Sequence, residues 1–315
     1  MKLAFVVDPL GEFKIYKDTT YAIMREAAAR GHELYTMHQG DLAWTRSGVT
    51  GYASRLHLTG DEGEAWFLLE PAAETPLTAY DAVLMRKDPP FDLEYVYSTY
   101  LLELAETQGA RIVNRPRAIR DHNEKMAIAK FSQYTAPTLV TRRLDLIRAF
   151  LAEHDEIILK PLHGMGGTSI FRVGKNDPNL NVIMETLTAL GTQTIMAQRY
   201  IPEIRDGDKR VLLIAGKPVP YALARIPKAG ETRGNLAAGG TGVARPLTER
   251  DREIAEALGP VLHREGLLLV GLDVIGDYLT EVNVTSPTCF QEITAQSGFN
   301  VAGMMLDALE NVTPA

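Results

Sequence analysis

The sequence predicts an α/β protein with an open, mostly parallel β-sheet in its amino-terminal part. Two observations carry this prediction: apolar runs of strand length alternate with helix-length stretches, and those stretches end at Gly31 and Gly109. Repeated strand–helix–strand units place helices on both faces of a parallel sheet. At 315 residues, the chain is also longer than one ordinary core, which indicates two or three structural units.

The predicted elements follow this alternation and then change character near residue 122, where we place a domain boundary. A softer boundary lies near residue 200, and residues 41–80 are too polar and mixed for any element to be predicted. The three units are 1–122, 123–200 and 201–315. The predicted strands are 2–7, 33–37, 82–85, 111–113 and 156–160, with an extended stretch at 136–140, and the predicted helices are 19–30, 93–108, 123–131 and 143–153.

Composition argues against several classes of function. The balance of 33 basic against 40 acidic residues gives a formal charge of −7, which argues against a general nucleic-acid binder. Cys289 is the only cysteine, so no intrachain disulfide can form and a reducing compartment fits. The amino-terminal apolar run is too short for a signal peptide or a membrane span, so we expect a cytoplasmic protein. The histidines lack the Glu-x-x-His metal spacing, and no Gly-x-Ser-x-Gly motif is present.

An apolar stretch near the carboxyl terminus, residues 271–288, contains the polar residues Asp273, Glu281 and Asn283. Glu281 and Asn283 are two residues apart, so on a strand they share a face. A Gly-Asp turn signal at 276–277 predicts a hairpin. A three-residue connection would place Asp273 opposite Glu281, and a two-residue connection would place them on opposite faces. Converging oxygen ligands would suit Mg²⁺, whereas isolated strand carboxylates commonly lie on the wet side of a sheet.

Two further segments suggest a nucleotide site. Lys160 ends a predicted strand and precedes a glycine-rich loop, so a point charge and accessible backbone N–H groups could meet phosphate. A plain glycine-rich hairpin is the alternative. The apolar connector at residues 198–202 suits an adenine, with Asp208 accepting from ribose hydroxyls and Arg210 meeting phosphates. The alternative there is a surface turn that opens a strand.

Residues 226–242 contain five glycines without apolar periodicity, which indicates either a mobile lid or a disordered loop. Arg233, in the middle of this loop, could clamp an anionic group of a substrate. Arg86 follows a predicted parallel strand, where ligands of open α/β sheets bind, so it belongs to a candidate carboxylate site or to a solvated loop. Asp18 or Thr19 could cap the following helix.

Together these segments resemble the bacterial glutathione synthetases of the ATP-grasp superfamily. The general resemblance rests on Lys125, on Lys160 with its glycine-rich loop, on the adenine connector and on the distal Asp…Glu-x-Asn pattern at 273–283. The longer motifs are Arg-Lys-Asp-Pro-Pro-Phe-Asp at 86–92, Ile-Leu-Lys-Pro-Leu-x-Gly-Met-Gly-Gly at 158–167, Gly-Glu-Thr-Arg-Gly-Asn-Leu-Ala-Ala-Gly-Gly at 230–240 and Leu-Thr-Glu-Val-Asn-Val-Thr-Ser-Pro-Thr at 279–288.

The resemblance implies an ATP-grasp fold, with a substrate domain at 1–122, a small lid subdomain at 123–200 and an antiparallel-sheet domain with the metal site at 201–315. It implies an enzyme that joins γ-glutamylcysteine to glycine through an acyl phosphate, using ATP and two Mg²⁺, or Mn²⁺ in their place. It also implies a homo-oligomer, a tetramer or a dimer. The implied residues are, for catalysis, Arg210, Arg225, Arg233 and Gly240; for the nucleotide, Lys125, Lys160, Gly164, Gly166, Gly167, Gln198, Tyr200, Ile201, Asp208, Arg210 and Asn283; for the metal, Asp273, Glu281 and Asn283; and for the peptide substrate, Arg86, Asp18, Ser286 and Thr288.

Two alternatives stay open at this point. Another ATP-grasp ligase, such as a D-alanine–D-alanine ligase, would share the nucleotide and metal residues but not the 230–240 motif. A nucleotide-binding module without catalysis is the second alternative, and the presence of Arg210 and Arg225 beside all three expected metal ligands argues against it.

Overall fold

The computed structural model describes residues 1–60, 63, 65–164, 166–231, 233–236 and 239–311. Within these residues it contains three β-sheets of eight, four and five strands, with helices packed against them. This mixed arrangement agrees with the predicted α/β class. Among the described helices, none is both long and apolar enough to cross a bilayer.

The amino-terminal sheet has a parallel centre and an antiparallel edge. Its elements are β1 (Lys2–Val6), α1 (Thr19–Ala29), β2 (Glu33–Met37), β3 (Leu42–Thr45), β4 (Gly48–Leu58), β5 (Phe67–Leu69), β6 (Ala73–Pro76), β7 (Ala82–Met85), α2 (Leu93–Thr107), β8 (Ile112–Val113) and α3 (Pro116–Asp121). The strand order is β3-β4-β2-β1-β7-β8, with β5 and β6 also paired to β4. The pairs β1/β2, β1/β7 and β7/β8 are parallel, as predicted, whereas every pair made by β4 is antiparallel.

Helices lie on both faces of this sheet because β1 alternates its side chains between them. Leu3 belongs to the same apolar cluster as Ile23 of α1. The next residue, Ala4, belongs to the opposite cluster with Leu102 of α2. With helices on both faces, the sheet has the carboxyl ends of its parallel strands at one edge, and residues that follow β7 line a cavity there.

The central four-stranded sheet is antiparallel throughout, in the order β11-β10-β12-β9. A 3₁₀ helix, Met126–Tyr134, leads into it where the sequence predicts an α-helix, and the backbone at Phe131 leaves the helical region. β10 ends at Pro161, and the glycine-rich loop follows it directly. The elements are β9 (Thr138–Thr141), α4 (Leu144–His154), β10 (Glu156–Pro161), β11 (Phe171–Gly174), α5 (Leu180–Leu187) and β12 (Ile195–Arg199).

The carboxyl-terminal sheet is also antiparallel, in the order β15-β14-β13-β16-β17. Its elements are β13 (Asp208–Ile214), β14 (Lys217–Ile226), β15 (Thr241–Pro246), α6 (Glu249–Arg264), β16 (Leu269–Ile275), β17 (Tyr278–Asn283), α7 (Phe290–Ser297) and α8 (Val301–Asn311). Val211 of β13 packs with Ile254 of α6, whereas Leu212 packs in the cluster that contains Phe290 of α7. Even-numbered residues of β13 therefore face α7.

Glu106, on α2 in the amino-terminal domain, allows the packing of that helix to be tested through the pH dependence of stability. Its carboxyl is half-buried, 3.9 Å from Arg115 Nε, and burial raises its pKa to about 6 against the opposing effect of Arg115. Because the pKa of Glu106 is higher in the folded than in the unfolded protein, its protonated carboxyl contributes to stability. That contribution is complete below the unfolded pKa of 4.5 and is lost as the pH rises through about 6. Glu106→Gln should increase the free energy of unfolding by about 1 kcal/mol at pH 8 and change it little at pH 4. Urea unfolding at both pH values measures this, and equal stabilisation at both would contradict it.

Candidate active site

The β16–β17 hairpin places Asp273 and Glu281 side by side. Its connection has two residues, since Ile275 pairs with Tyr278, yet Asp273 pairs with Glu281. The register shifts by one residue between these pairs, so Thr280 is the extra residue of a β-bulge. The bulge returns the two carboxylates to a shared face, which a regular ladder with a two-residue turn would not do.

Asp273 lies between two arginines. Its carboxylate accepts from Arg210 Nε at 2.6 Å and Nη2 at 3.2 Å, and Arg225 Nη2 lies 2.8 Å away. All three side chains are buried. Burial alone would raise the pKa of Asp273, but the two guanidinium groups outweigh it and hold that pKa well below its usual range. The three side chains form a fixed charge cluster with a net positive charge.

Two lysines approach the second carboxylate of the hairpin. Lys125 Nζ is 3.6 Å from Glu281 Oε1 and donates to Gly164 O at 3.1 Å. Lys160 Nζ is 3.9 Å from the same oxygen and donates to Gln198 Oε1 at 3.5 Å. Burial lowers the pKa of Lys160, and the charge of Glu281 opposes that effect. These long contacts leave both ammonium groups with donors available to a ligand.

A cavity opens between the central and carboxyl-terminal sheets, with both lysines on its wall. Its empty volume, which includes space open to solvent, is about 820 Å³. One part of its wall is apolar, and the part near Lys160 is glycine-rich and charged. The expected nucleotide residues that line it are Lys125, Lys160, Gly164, Gly166, Gly167, Gln198, Tyr200, Ile201 and Asp208, together with the apolar residues Ile158, Ile170, Ile204 and Ile275.

Asp208 presents an unsatisfied acceptor to this cavity. Its Oδ2 accepts from Arg225 Nη2 at 2.6 Å, while its buried Oδ1 has no hydrogen-bond partner among the described residues. Burial raises the pKa of Asp208, and Arg225 opposes that rise. A buried carboxylate oxygen without a donor costs free energy, so a ligand hydroxyl at this position would be stabilising.

A second cavity, of about 1,320 Å³, lies between the amino-terminal domain and α7. Asp273 and Glu281 line both cavities, so the two carboxylates stand at their junction. The remaining expected residues on the wall of the second cavity are Arg210, Arg225, Asn283, Asp18, Ser286 and Thr288. Asp18 also caps α1 by accepting from Tyr21 N at 2.7 Å, which confirms the predicted helix cap. The same side chain therefore both caps the helix and lines the cavity.

Three expected residues are placed differently from the sequence-based assignment. Arg86 is buried and donates to Thr20 Oγ1 and Pro287 O, both at 3.1 Å, so it supports the cavity wall from behind. Arg233 lines the first cavity, 3.4 Å from Gly167 O, rather than the second cavity. Gly240 packs against its own loop: an added Cβ would lie 2.3 Å from a backbone carbonyl oxygen of residue 234. This close approach explains why a glycine stands at position 240, and its assignment to catalysis stays a prediction.

Glu124, which no sequence motif singled out, holds the end of β17. Its Oε1 accepts from Val284 N at 2.9 Å, from Thr285 N at 3.1 Å and from Thr285 Oγ1 at 2.8 Å. Its backbone oxygen also accepts from Val282 N at 2.8 Å. These bonds flank Asn283 on both sides, so they fix its direction. The only available signal was that Glu124 precedes Lys125.

Family comparisons agree with this geometry. Models for the N-terminal domain and the ATP-grasp domain of prokaryotic glutathione synthetase match residues 1–120 and 124–298. The chain belongs to the prokaryotic glutathione synthetase family. Glutathione synthetase from Nitrosomonas europaea is 66% identical over 98% of each chain. The enzyme from Ralstonia nicotianae is 65% identical, over 98% of this chain and 95% of the relative.

Solved structures of distant proteins share the fold of this synthetase family member. D-cycloserine synthetase DcsG superposes with a TM-score of 0.66 over 98% of each chain, at 17% identity. The ATP-grasp ligase PsnB with its minimal precursor gives a TM-score of 0.65 over 98% of each chain, at 18% identity. The family assignment confirms the predicted ATP-grasp fold and the predicted class of enzyme, an ATP-dependent ligase.

Proposed function

We propose that this synthetase joins γ-glutamylcysteine to glycine, with cleavage of ATP to ADP and phosphate, at the junction of the two cavities. The observation that carries the proposal is that Asp273 and Glu281 line both cavities, with Arg210 and Arg225 beside them. A nucleotide in the first cavity and a peptide in the second would bring the γ-phosphate and the cysteinyl carboxylate together at these residues.

The chemistry needs activation of a carboxylate, because oxide is a poor leaving group. The cysteinyl carboxylate oxygen attacks the γ-phosphorus of ATP, ADP leaves, and an acyl phosphate forms. The amine of glycine then attacks the acyl carbon, and phosphate leaves with its bonding electron pair while the amine loses a proton. Arg210 and Arg225 would stabilise the transferred phosphoryl group and the tetrahedral oxyanion, and each such contact contributes on the order of 3 kcal/mol to the barrier.

The nucleotide is positioned by side chains from both sheets. Gln198, Tyr200 and Ile201 would contact the adenine, and Asp208 Oδ1 would accept from the ribose. Lys125 and Lys160 would meet phosphate oxygens, with N–H groups of the glycine-rich loop around Gly166 and Gly167. Met165, within that loop, lies outside the described residues.

Divalent metal fits the oxygen donors of the hairpin. Asp273, Glu281 and Asn283 share one face. The amide nitrogen of Asn283 donates to Gly271 O at 3.1 Å, so its amide oxygen would be the atom that coordinates a cation. No cluster of three His, Cys, Asp or Glu occurs among the described residues, and this set comprises two carboxylates and an amide. We assign two Mg²⁺, or Mn²⁺, to these residues; they would supply charge neutralisation for the phosphates.

The loop 226–242 is proposed as a lid that excludes water from the acyl phosphate, since water competes with glycine for it. Arg233 would act from the nucleotide side, where it lies beside Gly167 and donates to Glu231 at 2.6 Å. Thr232, Ala237 and Ala238 of this loop lie outside the described residues. We further propose the division into 1–122, 123–200 and 201–315, a cytoplasmic location and a dimer or tetramer of identical chains.

Phosphate release tests the reaction directly. ATP, γ-glutamylcysteine and glycine are supplied together and with each omitted in turn, and glutathione is measured by mass spectrometry. Glutathione should form, with stoichiometric phosphate, only when all three are present. Turnover that does not depend on glycine would overturn the synthetase assignment, and a product from D-alanine alone would favour the other ligase.

Asp208 provides a separate test of the nucleotide pose. The native enzyme should prefer ATP to 2′,3′-dideoxy-ATP by about tenfold in kcat/KM, and Asp208→Asn should reduce that preference to about twofold. The ratio of kcat/KM for the two nucleotides is the quantity to compare, because Asp208→Asn also weakens the contact with Arg225. That loss should lower kcat for both nucleotides alike. Asp206→Asn, at an exposed aspartate two residues away, is the control and should keep the native preference. An unchanged ratio in Asp208→Asn would contradict the ribose contact.

A further inference from the structure

The second cavity continues past Asp273 to a wall of mixed charge that the reaction steps above do not use. This wall, which we call the distal wall, is formed by Lys14, Lys17, Asp18 and Glu292, and Glu12 of the same amino-terminal segment also lines the cavity. Two of its side chains are cationic and two are anionic. It joins the segment before α1 to the first turn of α7.

The two halves of the distal wall are held together by Gln291. Its Nε2 donates to Ile15 O at 2.5 Å and to Asp18 O at 2.7 Å. Beside it, Phe290 N donates to Thr19 Oγ1 at 3.2 Å. The amino-terminal segment is therefore tied directly to α7, so the charges of the wall keep a defined arrangement.

Glu292 contributes a buried acceptor to the wall. Its Oε2 is buried and has no hydrogen-bond partner among the described residues. Burial raises the pKa of Glu292, with Lys17 and Arg210 opposing the rise. A cationic donor at this oxygen would satisfy the acceptor and the charge together. No described salt bridge involves Lys14 or Lys17, so both ammonium groups are available to an anion.

We propose that the distal wall binds the free α-amino-acid head of the γ-glutamyl donor, with Glu292 and Asp18 receiving its α-ammonium and Lys17 and Lys14 its α-carboxylate. This inference rests on the proposed function. A γ-linked glutamyl residue keeps both α-groups free, whereas an α-linked one has lost the carboxylate to the peptide bond. The reacting carboxylate lies at the other end of the same molecule, so a head held at the distal wall directs it toward Arg210 and Arg225. The wall therefore selects γ-linked donors.

Paired substitutions and substrate analogues test the proposal. Glu292→Gln should raise the KM for γ-glutamylcysteine at least tenfold while the KM values for ATP and glycine stay within about twofold. The native enzyme should discriminate strongly against N-acetyl-γ-glutamylcysteine, and Glu292→Gln should lose most of that discrimination. Lys17→Met should do the same for the donor whose α-carboxylate is converted to an amide, and should keep the discrimination against the N-acetyl donor.

Glu256→Gln, at an exposed glutamate of α6, is the matched control and should behave as the native enzyme in every assay. Equal loss of activity with native and N-acetyl donors in Glu292→Gln would show a structural role and overturn the proposal. If the native enzyme makes glutathione and neither variant changes the discrimination between donors, the assignment of the distal wall is wrong while the proposed function stands. Failure of native enzyme to make glutathione would overturn the proposed function instead.

Discussion

Asp273→Asn should abolish most ligase activity and lower the free energy of unfolding by about 3–5 kcal/mol. The substitution removes the charge that Arg210 and Arg225 share at 2.6 and 2.8 Å, in a site where all three side chains are buried. Two guanidinium groups would then repel each other with only Asp208 nearby. Loss of a proposed metal ligand and of arginine positioning should together reduce kcat by at least 10²–10³-fold.

Asp251→Asn is the matched control for this result. Asp251 is also a buried aspartate, and it pairs with Lys209, whose side chain points to the α6 face of β13, opposite to Arg210. Its substitution should lower stability by a similar amount and leave kcat of the folded enzyme within about threefold. Urea unfolding and steady-state kinetics, measured well below either transition, separate the two effects. Equal losses of kcat in both variants would contradict the special role of Asp273.

Lys160→Gln should reduce kcat/KM for ATP by about 10²–10³-fold. Its ammonium lies at the bottom of the nucleotide cavity, donating to Gln198 Oε1 and to Thr280 O at 3.5 and 3.4 Å, and it is buried. A phosphate that meets a charged donor in such a site loses a charge-assisted hydrogen bond when glutamine replaces lysine. The substitution also removes one of the two lysines near Glu281 and leaves Lys125.

Lys175→Gln is the control for Lys160→Gln. Lys175 belongs to the same small unit but is exposed, and it pairs with Asp155 on the surface. An exposed pair contributes at most about 1 kcal/mol, so kinetics with ATP should be native. Calorimetric titration with ADP should show weakened binding only for Lys160→Gln. Native affinity for ADP and native kcat/KM in that variant would contradict the phosphate assignment.

The repeated strand–helix–strand units were predictable because a buried parallel sheet needs continuous apolar runs, and β1 and β7 supply them. The antiparallel strands β3 to β6 were not predictable. β4 spans Gly48–Leu58 and mixes exposed and buried residues irregularly, since different parts of it pair with β2, β3, β5 and β6. Its burial depends on four partners that a local pattern does not contain.

Some residues of the candidate site were likewise predictable from the sequence, and others were not. Lys160 and the glycines after it were recognisable because they are adjacent in sequence. Glu124 was not, since its three acceptor contacts are with residues 284 and 285, about 160 positions away. Glu292 was missed for a related reason: its unpartnered oxygen becomes visible only when α7 is packed against the amino-terminal segment.

The sequence alone determined the family and the α/β class, and it indicated the candidate oxygen and nitrogen donors, because long contiguous motifs carry that information. The tertiary structure decided how those donors face one another. The two-residue turn at 276–277 would separate Asp273 from Glu281, and the bulge at Thr280 reunites them. Such a bulge is set by pairing with the neighbouring strand and by packing across the sheet, so no local pattern in the hairpin could have specified it.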